Sequence, residues 1–228
     1  LQPKALIKVF GKPILYYLLD NIPVEYFKEA NVVIPYNKEY SNYRFESKLQ
    51  KDYPYVNFTF ICLKDNTRGA AETINIALKN VQFVDQPVIC LDGDNFYSTN
   101  IIKEWNNENK IICFKDLNSN PIYSYIKVDD DEKKVIDIIE KNKISNYACT
   151  GAYGFKSYLQ LLDYTQKVLD NNIMEKDEFY TSVVIKEMIK DNINFSFGEI
   201  LESNWHCLGT PFQVRLFYNN YPVHSCLT

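Results

Sequence analysis

Histidine is nearly missing from this chain, with 2 in 228 residues, and its six cysteines include no Cys-x-x-Cys pair. Zinc sites are built from such pairs, and His206-Cys207, where the two residue types adjoin, has no second pair, so a zinc centre is not expected. Cys62, Cys90, Cys113, Cys149, Cys207 and Cys226 are scattered, several of them inside apolar runs. They read as small buried hydrophobes of a reducing compartment rather than as a disulfide framework. Positive charge is also short: 25 Lys and Arg against 29 Asp and Glu leave a net charge of −4. That balance argues against a general nucleic-acid or membrane-surface binder, while leaving room for a local basic pocket that takes phosphate. No apolar run is long enough to span a bilayer and no signal-peptide pattern is visible, so a soluble cytoplasmic protein is expected. Long Gly/Ser linkers, low-complexity tracts and internal repeats are absent, so residues 1–228 are expected to form one domain.

What is present is organised around Pro87-Val88-Ile89-Cys90-Leu91-Asp92-Gly93-Asp94-Asn95-Phe96-Tyr97. The apolar run opened by proline reads as a strand buried on both faces that ends in two carboxylates one glycine apart. Residues two apart on an extended backbone point the same way. Asp92 and Asp94 are therefore expected to converge just past the strand's carboxyl end, where open α/β sheets bind ligands. A hard cation such as Mg²⁺ favours such oxygens, and the glycine leaves room for a phosphate. The plainer alternative is that Asp-Gly serves only as a turn former.

Along the chain, Ile14 to Ile22 has helical spacing after Pro13, Val32 to Pro35 is a short strand, residues 37–53 suggest a helix, and Val56 to Leu63 alternates as a strand. Lys64 to Ile74 breaks the pattern with polar residues and Gly69 before a helix that runs to about Asn80. Small residues at a helix start let backbone amides approach an anionic or planar ligand. Up to the Asp92/Asp94 strand, the alternation of strands and helices implies parallel pairing with helical crossovers. Beyond it, Ile111–Phe114, Ile122–Val128, Val135–Glu140 and Tyr147–Phe155 form a meander of strands, with Asp129-Asp130-Asp131-Glu132 as a solvated hairpin tip. Helical spacing returns at Ser157–Leu169 and Glu178–Lys190, Asn192–Leu201 is a further strand, Trp205–Pro211 a turn, and Phe212–Tyr218 helical. An α/β domain with an inserted antiparallel layer is expected. Tyr153 and Phe155 read as core residues and His206 as a structural one.

Pro3-Lys4-Ala5-Leu6 with Gly11-Lys12-Pro13-Ile14, Gly69-Ala70-Ala71, Gly93-Asp94-Asn95, Ile139-Glu140-Lys141, Thr150-Gly151-Ala152-Tyr153-Gly154-Phe155 and Gly209-Thr210-Pro211 follow one another along nearly the whole chain. Together they resemble the motifs of the sugar-phosphate nucleotidyltransferases, the nucleotide-sugar pyrophosphorylase family. The resemblance implies a GT-A-like fold, with a mixed, mainly parallel central sheet of Rossmann-like layout flanked by helices. It implies transfer of a nucleotidyl group from a nucleoside triphosphate to a sugar 1-phosphate or similar phosphomonoester, with release of pyrophosphate. Lys4, Asp94 and Lys141 would be catalytic, Gly69, Ala70, Asp92, Glu140 and Gly151 substrate-binding, and Asp94 with Asp92 the ligands of Mg²⁺. Neither nucleic acid nor membrane is implied as a partner, and a homo-oligomer stays open.

The residue types suit that chemistry. Two anions must meet, so the barrier is charge repulsion and misalignment, which cations at the reacting phosphorus address. An acceptor phosphate is already ionised, so no general base is needed and the scarcity of histidine is no obstacle. Cys207 stands where the family carries an aspartate as a second metal ligand, and a neutral thiol suits Mg²⁺ poorly. Ser182 replaces an acidic residue and Asn142 a proline, which keeps an acceptor other than a common hexose 1-phosphate open. The family's first strand and glycine-rich loop would precede Lys4, and residues upstream of Leu1 are expected to supply them. Read without the pattern, Lys4 and Lys141 would be solvated surface charges. Two further readings remain: a GT-A glycosyltransferase that uses Asp92 and Asp94 with a nucleotide sugar, and a binding domain of the same fold without the chemistry.

Overall fold

The computed structural model describes residues 3–129, 131 and 133–220. Cys226, together with Asp130 and Glu132 of the acidic turn, lies outside the described residues. A 3-10 turn at Lys4–Leu6 leads into a small hairpin of β1 (Lys8–Val9) and β2 (Lys12–Pro13). Then come α1 (Ile14–Asp20), α2 (Val24–Phe27), β3 (Asn31–Asn37), α3 (Phe45–Asp52), β4 (Asn57–Leu63), α4 (Ala70–Lys79), β5 (Val88–Leu91), β6 (Asn95–Tyr97) and α5 (Ile101–Trp105). The second half runs β7 (Lys110–Lys115), β8 (Ser124–Asp129), β9 (Lys134–Glu140), β10 (Tyr147–Phe155), α6 (Tyr158–Asp170), α7 (Thr181–Lys190), β11 (Ser196–Glu199), β12 (Trp205–Cys207) and α8 (Pro211–Asn220).

Six strands form the main sheet in the order β5-β10-β7-β11-β9-β8. β7 carries its centre. Ile111 and Cys113 point into one apolar cluster with α4, α6 and α7, and Ile112 and Phe114 into another with α1, Tyr97 and Trp205. Alternation along one strand thus feeds both faces, as a doubly covered sheet requires. α6 begins where the Ser157 side chain accepts the Gln160 amide at 3.0 Å, a standard N-cap, and buries Leu161, Thr165 and Val168 at helical spacing. α7 buries Val183, Val184, Ile185 and Met188.

Parallel pairing occurs between β3 and β4 and between β7 and β11; β10 runs antiparallel to β5, β7 and β8. Among the described residues no strand pairing joins β3 to β5, and the apolar positions of both strands, Tyr36 excepted, stay half-buried. A cavity of about 470 Å³ lies beside them, bordered by Ala5, Tyr36, Asn37, Thr67 and Gly93.

Several boundaries differ from those the sequence suggests. The expected strand at Asn192–Leu201 is confined to Ser196–Glu199. Trp205–Cys207, expected as part of a turn, is a strand paired with β6. Helix α7 starts at Thr181 because residues 175–178 close a tight turn, in which Lys176 and Asp177 both have positive φ, as a type I′ turn demands. Tyr153 and Phe155 are core residues, and His206 is stacked on Phe96. Among the described residues no helix is long and apolar enough to cross a membrane.

Candidate active site

β5 ends at Leu91, and the next four residues turn sharply, the Asn95 amide donating to the Asp92 carbonyl at 3.1 Å. Asp92 and Asp94 therefore meet through a β-turn, not through alternation along a strand. The Asp-Gly turn and the paired carboxylates are one feature. Asp94 forms an ion pair with Lys4, which the 3-10 turn after Pro3 presents from the chain's start. The Asp94 carbonyl accepts the Leu208 amide at 2.8 Å, which brings Cys207 and Gly209 alongside.

Opposite this turn, β10 carries a bulge. Its register with β7 shifts between Cys149 and Ala152, and Gly151 takes φ +81, the left-handed conformation that favours glycine in such a bulge. The bulge aims two carbonyls at the turn. Gly151 O accepts the Asp92 amide at 3.0 Å, and Thr150 O accepts both Asn95 Nδ2 at 2.9 Å and the Tyr97 hydroxyl at 3.0 Å. A Cβ on Gly151 would lie 2.3 Å from Asp92 Oδ2. Gly151 is thus the surface against which Asp92 rests.

Asp92 is closely surrounded by protein atoms, yet its residue surface stays exposed to solvent. Burial first, then the Asp94 carboxylate, push it up to about 7, with Lys4 acting in the opposite sense. Burial and Asp94 likewise push the Cys207 thiol up to about 11, so it is neutral at physiological pH. Asp92 and Asp94 supply the hard oxygens that suit Mg²⁺, and Cys207 does not. Among the described residues no group of three or more His, Cys, Asp or Glu side chains is placed to hold a metal ion.

Glu140 and Lys141 end β9. Glu140 lies opposite Ser124 in β8, accepts a hydrogen bond from its hydroxyl, and accepts a second from Ser182 at 3.2 Å. Burial raises Glu140 above the ordinary carboxylate range, while these hydroxyls counter the shift. Lys141 has φ +48 and donates from Nζ to the Tyr180 hydroxyl at 2.8 Å, a contact that raises its pKa. Asp92 is near enough to feel the charge of Glu140.

Gly69 and Ala70 open α4 against Phe179. A Cβ on Gly69 would lie 2.5 Å from the Phe179 carbonyl oxygen, and the Ala71 amide donates to that oxygen at 2.8 Å. The smallness of this turn serves a close approach of protein backbone. Thr67 and Thr73, rather than Gly69 and Ala70, border the 470 Å³ cavity. Ser124, Glu175 and Tyr180 carry no role in the sequence-based reading. Ser124 could not have been placed there, because the register of the hairpin shifts between Lys127 and Val128 and only the fold shows that Glu140 falls opposite it; Glu175 and Tyr180 leave no signal either.

Residues 1–213 match the nucleotidyl transferase family model. The bifunctional protein GlmU of Methanocaldococcus jannaschii is 26% identical over 93% of this chain and 48% of its own length. The chain spans about half the length of that relative. A nucleoside-diphosphate-sugar pyrophosphorylase structure from Vibrio cholerae superposes with a TM-score of 0.84 at 20% identity, covering 96% of this chain and 92% of that one. The inositol-1-phosphate CTP transferase of T. maritima gives a TM-score of 0.71 at 14% identity, over 93% and 82%. At these identities the two likenesses show a shared α/β fold.

Proposed function

The chain belongs to the nucleotidyl transferase family, and on that premise we propose that it joins a nucleoside triphosphate to a sugar 1-phosphate or similar phosphomonoester and releases pyrophosphate. The layout is of the GT-A type, Rossmann-like with an antiparallel layer inserted, and residues 1–228 make up one nucleotidyltransferase-like domain. The observation that carries the reading is the pairing of Lys4 with Asp94 beside Asp92, within reach of the charge of Glu140, which Lys141 follows in the chain. Cation and carboxylate are thereby present twice in the neighbourhood of Asp92.

In the reaction, an oxygen of the acceptor phosphate attacks the α-phosphorus, and the bond from that phosphorus to the β-bridging oxygen breaks. Pyrophosphate leaves with the electron pair. Lys4 neutralises triphosphate oxygens on the side of Asp94. Lys141 neutralises the acceptor phosphate, and Glu140, held by Ser124 and Ser182, receives hydrogen bonds from acceptor hydroxyls. Asp94 and Asp92 would hold Mg²⁺, which when bound polarises the reacting phosphoryl group and offsets its charge. Gly151 supports Asp92 from behind. A cytoplasmic location is carried by the scatter of cysteines through apolar runs.

The test is pyrophosphate release by the full natural chain with each nucleoside triphosphate, Mg²⁺, and a panel of sugar 1-phosphates and other phosphomonoesters, beside the variant Asp94→Asn. Metal-dependent release abolished by the substitution supports the reading and identifies both substrates. Nucleotide binding without release across the panel refutes it in favour of a binding domain. Release of a nucleoside diphosphate from a nucleotide sugar would instead identify a glycosyltransferase.

A further inference from the structure

Among the described residues β9 meets the β11 side only at its start, where Lys134 pairs with Ser196 and the Val135 amide donates to Phe195 O at 2.8 Å, so no strand lies against its outer edge at Glu140. At that edge a side chain from far along the chain takes the place of a neighbouring strand. Glu175 Oε2 accepts the backbone amide of Glu140 at 2.8 Å, and Glu175 Oε1 accepts Lys186 Nζ at 3.0 Å. Lys186 also lies 3.9 Å from Asp137 of β9. Glu175 itself is fixed by the tight turn it opens, with backbone bonds in both directions between Glu175 and Glu178. Lys141, the next residue after the clamped amide, sits at φ +48, a conformation that costs an L-residue energy and so needs support. Its own amide donates to Tyr123 O at 2.9 Å. The turn that presents Glu140 and Lys141 is thus pinned on one edge by β8 and on the other by a carboxylate.

We propose that Glu175, charge-balanced by Lys186, is a positioning residue that holds the Glu140–Lys141 turn in the conformation that binds the acceptor phosphate. This rests on the transferase reading above. The bond is a charge-assisted one from an amide to a carboxylate, both partly shielded from solvent. Its loss lets Lys141 leave the left-handed region and swings the ammonium group away from the cleft. Nucleotide contacts lie at the other end and are untouched.

The experiment compares Glu175→Ala, Glu175→Gln and Lys186→Met in the full chain by steady-state kinetics, with α-D-glucose 1-phosphate and the acceptors that the panel identifies. Amide hydrogen exchange of each variant is measured in parallel. Glu175→Ala is expected to lower kcat/KM for the acceptor by about 10- to 100-fold, the value of a hydrogen bond to a charged group. The KM for nucleotide should stay within about twofold of wild type. Glu175→Gln keeps an oxygen for the Glu140 amide and is expected to retain most of the rate, with Lys186→Met between the two. Exchange of the Glu140 and Lys141 amides should rise in Glu175→Ala and not in Glu175→Gln. Equal loss for both substrates, or equal loss in Ala and Gln variants, would show a general structural role and overturn the proposal. If the wild type transfers to no acceptor, the transferase reading fails. The exchange arm then decides the clamp by itself: unchanged exchange at residues 140 and 141 in Glu175→Ala overturns it.

Discussion

Gly11 and Gly151 share one backbone conformation, φ +81, and differ in what a methyl group would meet there: nothing within 4 Å at Gly11, and Asp92 Oδ2 at 2.3 Å with Asn95 Nδ2 at 2.6 Å at Gly151. Substituting alanine at each separates the cost of the dihedral angle from the consequence of moving Asp92. The shared dihedral penalty is roughly 1–2 kcal/mol. For a chain of this size that lowers Tm by about 2–8 °C in both variants. The methyl of Gly151→Ala also meets Asn95 Nδ2, which is buried and donates to Thr150 O, so this variant loses Tm beyond the shared penalty, while the short Asp92 carboxylate gives way. It cannot give way without leaving the cleft. A displacement of order 1 Å in a group that positions the reaction costs about 100-fold in rate. Gly11→Ala should therefore keep its pyrophosphate-release rate within about twofold and Gly151→Ala should lose about 100-fold, assayed well below both melting temperatures as measured by calorimetry. Comparable rates in the two variants would refute the placement of Asp92 in the reaction.

Lys4→Met should leave stability within about 1 kcal/mol, because its pair with Asp94 is half-exposed, yet lower kcat by about 10²- to 10³-fold; urea unfolding beside the release assay checks both. Cys207→Asp should lower the Mg²⁺ concentration needed for half-maximal rate and lower the melting temperature without divalent cations, since it adds a hard oxygen beside Asp94; a Mg²⁺ titration of rate and of Tm tests it. pH acts through two groups of opposite sense. Asp92, raised from 3.8 to about 7, binds its proton more tightly in the folded state, so its contribution to stability is present below pH 4 and is lost as pH rises toward 7. His206, lowered by burial from 6.5 to about 4, contributes above pH 6.5 and loses that contribution as pH falls toward 4. Urea unfolding without metal should show stability falling with acid between pH 6.5 and 4 in Asp92→Asn, and falling with rising pH over the same window in His206→Phe; slopes of the other sign would exclude these assignments.

The parts of this molecule that sequence reveals are those decided locally. The apolar run before Asp92 has to be a strand because its length and composition leave few alternatives, and the stripe Leu161, Thr165, Val168 has to face a core. The hairpin of β8 and β9 likewise follows from two alternating runs around an acidic turn. What escaped depends on partners distant in the chain. Trp205–Cys207 reads as punctuation until β6 is found beside it, 108 residues earlier in the Trp205–Tyr97 pair, and its three residues carry no period of their own. α5, at five residues, is too short to show one. Gly69 is a subtler case, because the sequence indicates that something approaches closely and only the fold shows that the Phe179 backbone does so. Glu175 is indistinguishable from any exposed acid until the free edge of β9 is seen.

Residues 175–182 touch both halves of the cleft. Phe179 is bonded through its amide and carbonyl to Arg68 and Ala71 at the turn before α4, while Glu175, Tyr180 and Ser182 grip the Glu140–Lys141 end. Eight consecutive residues thus tie the position of the Glu140–Lys141 turn to that of the loop before α4, so neither can move far while the other stays put.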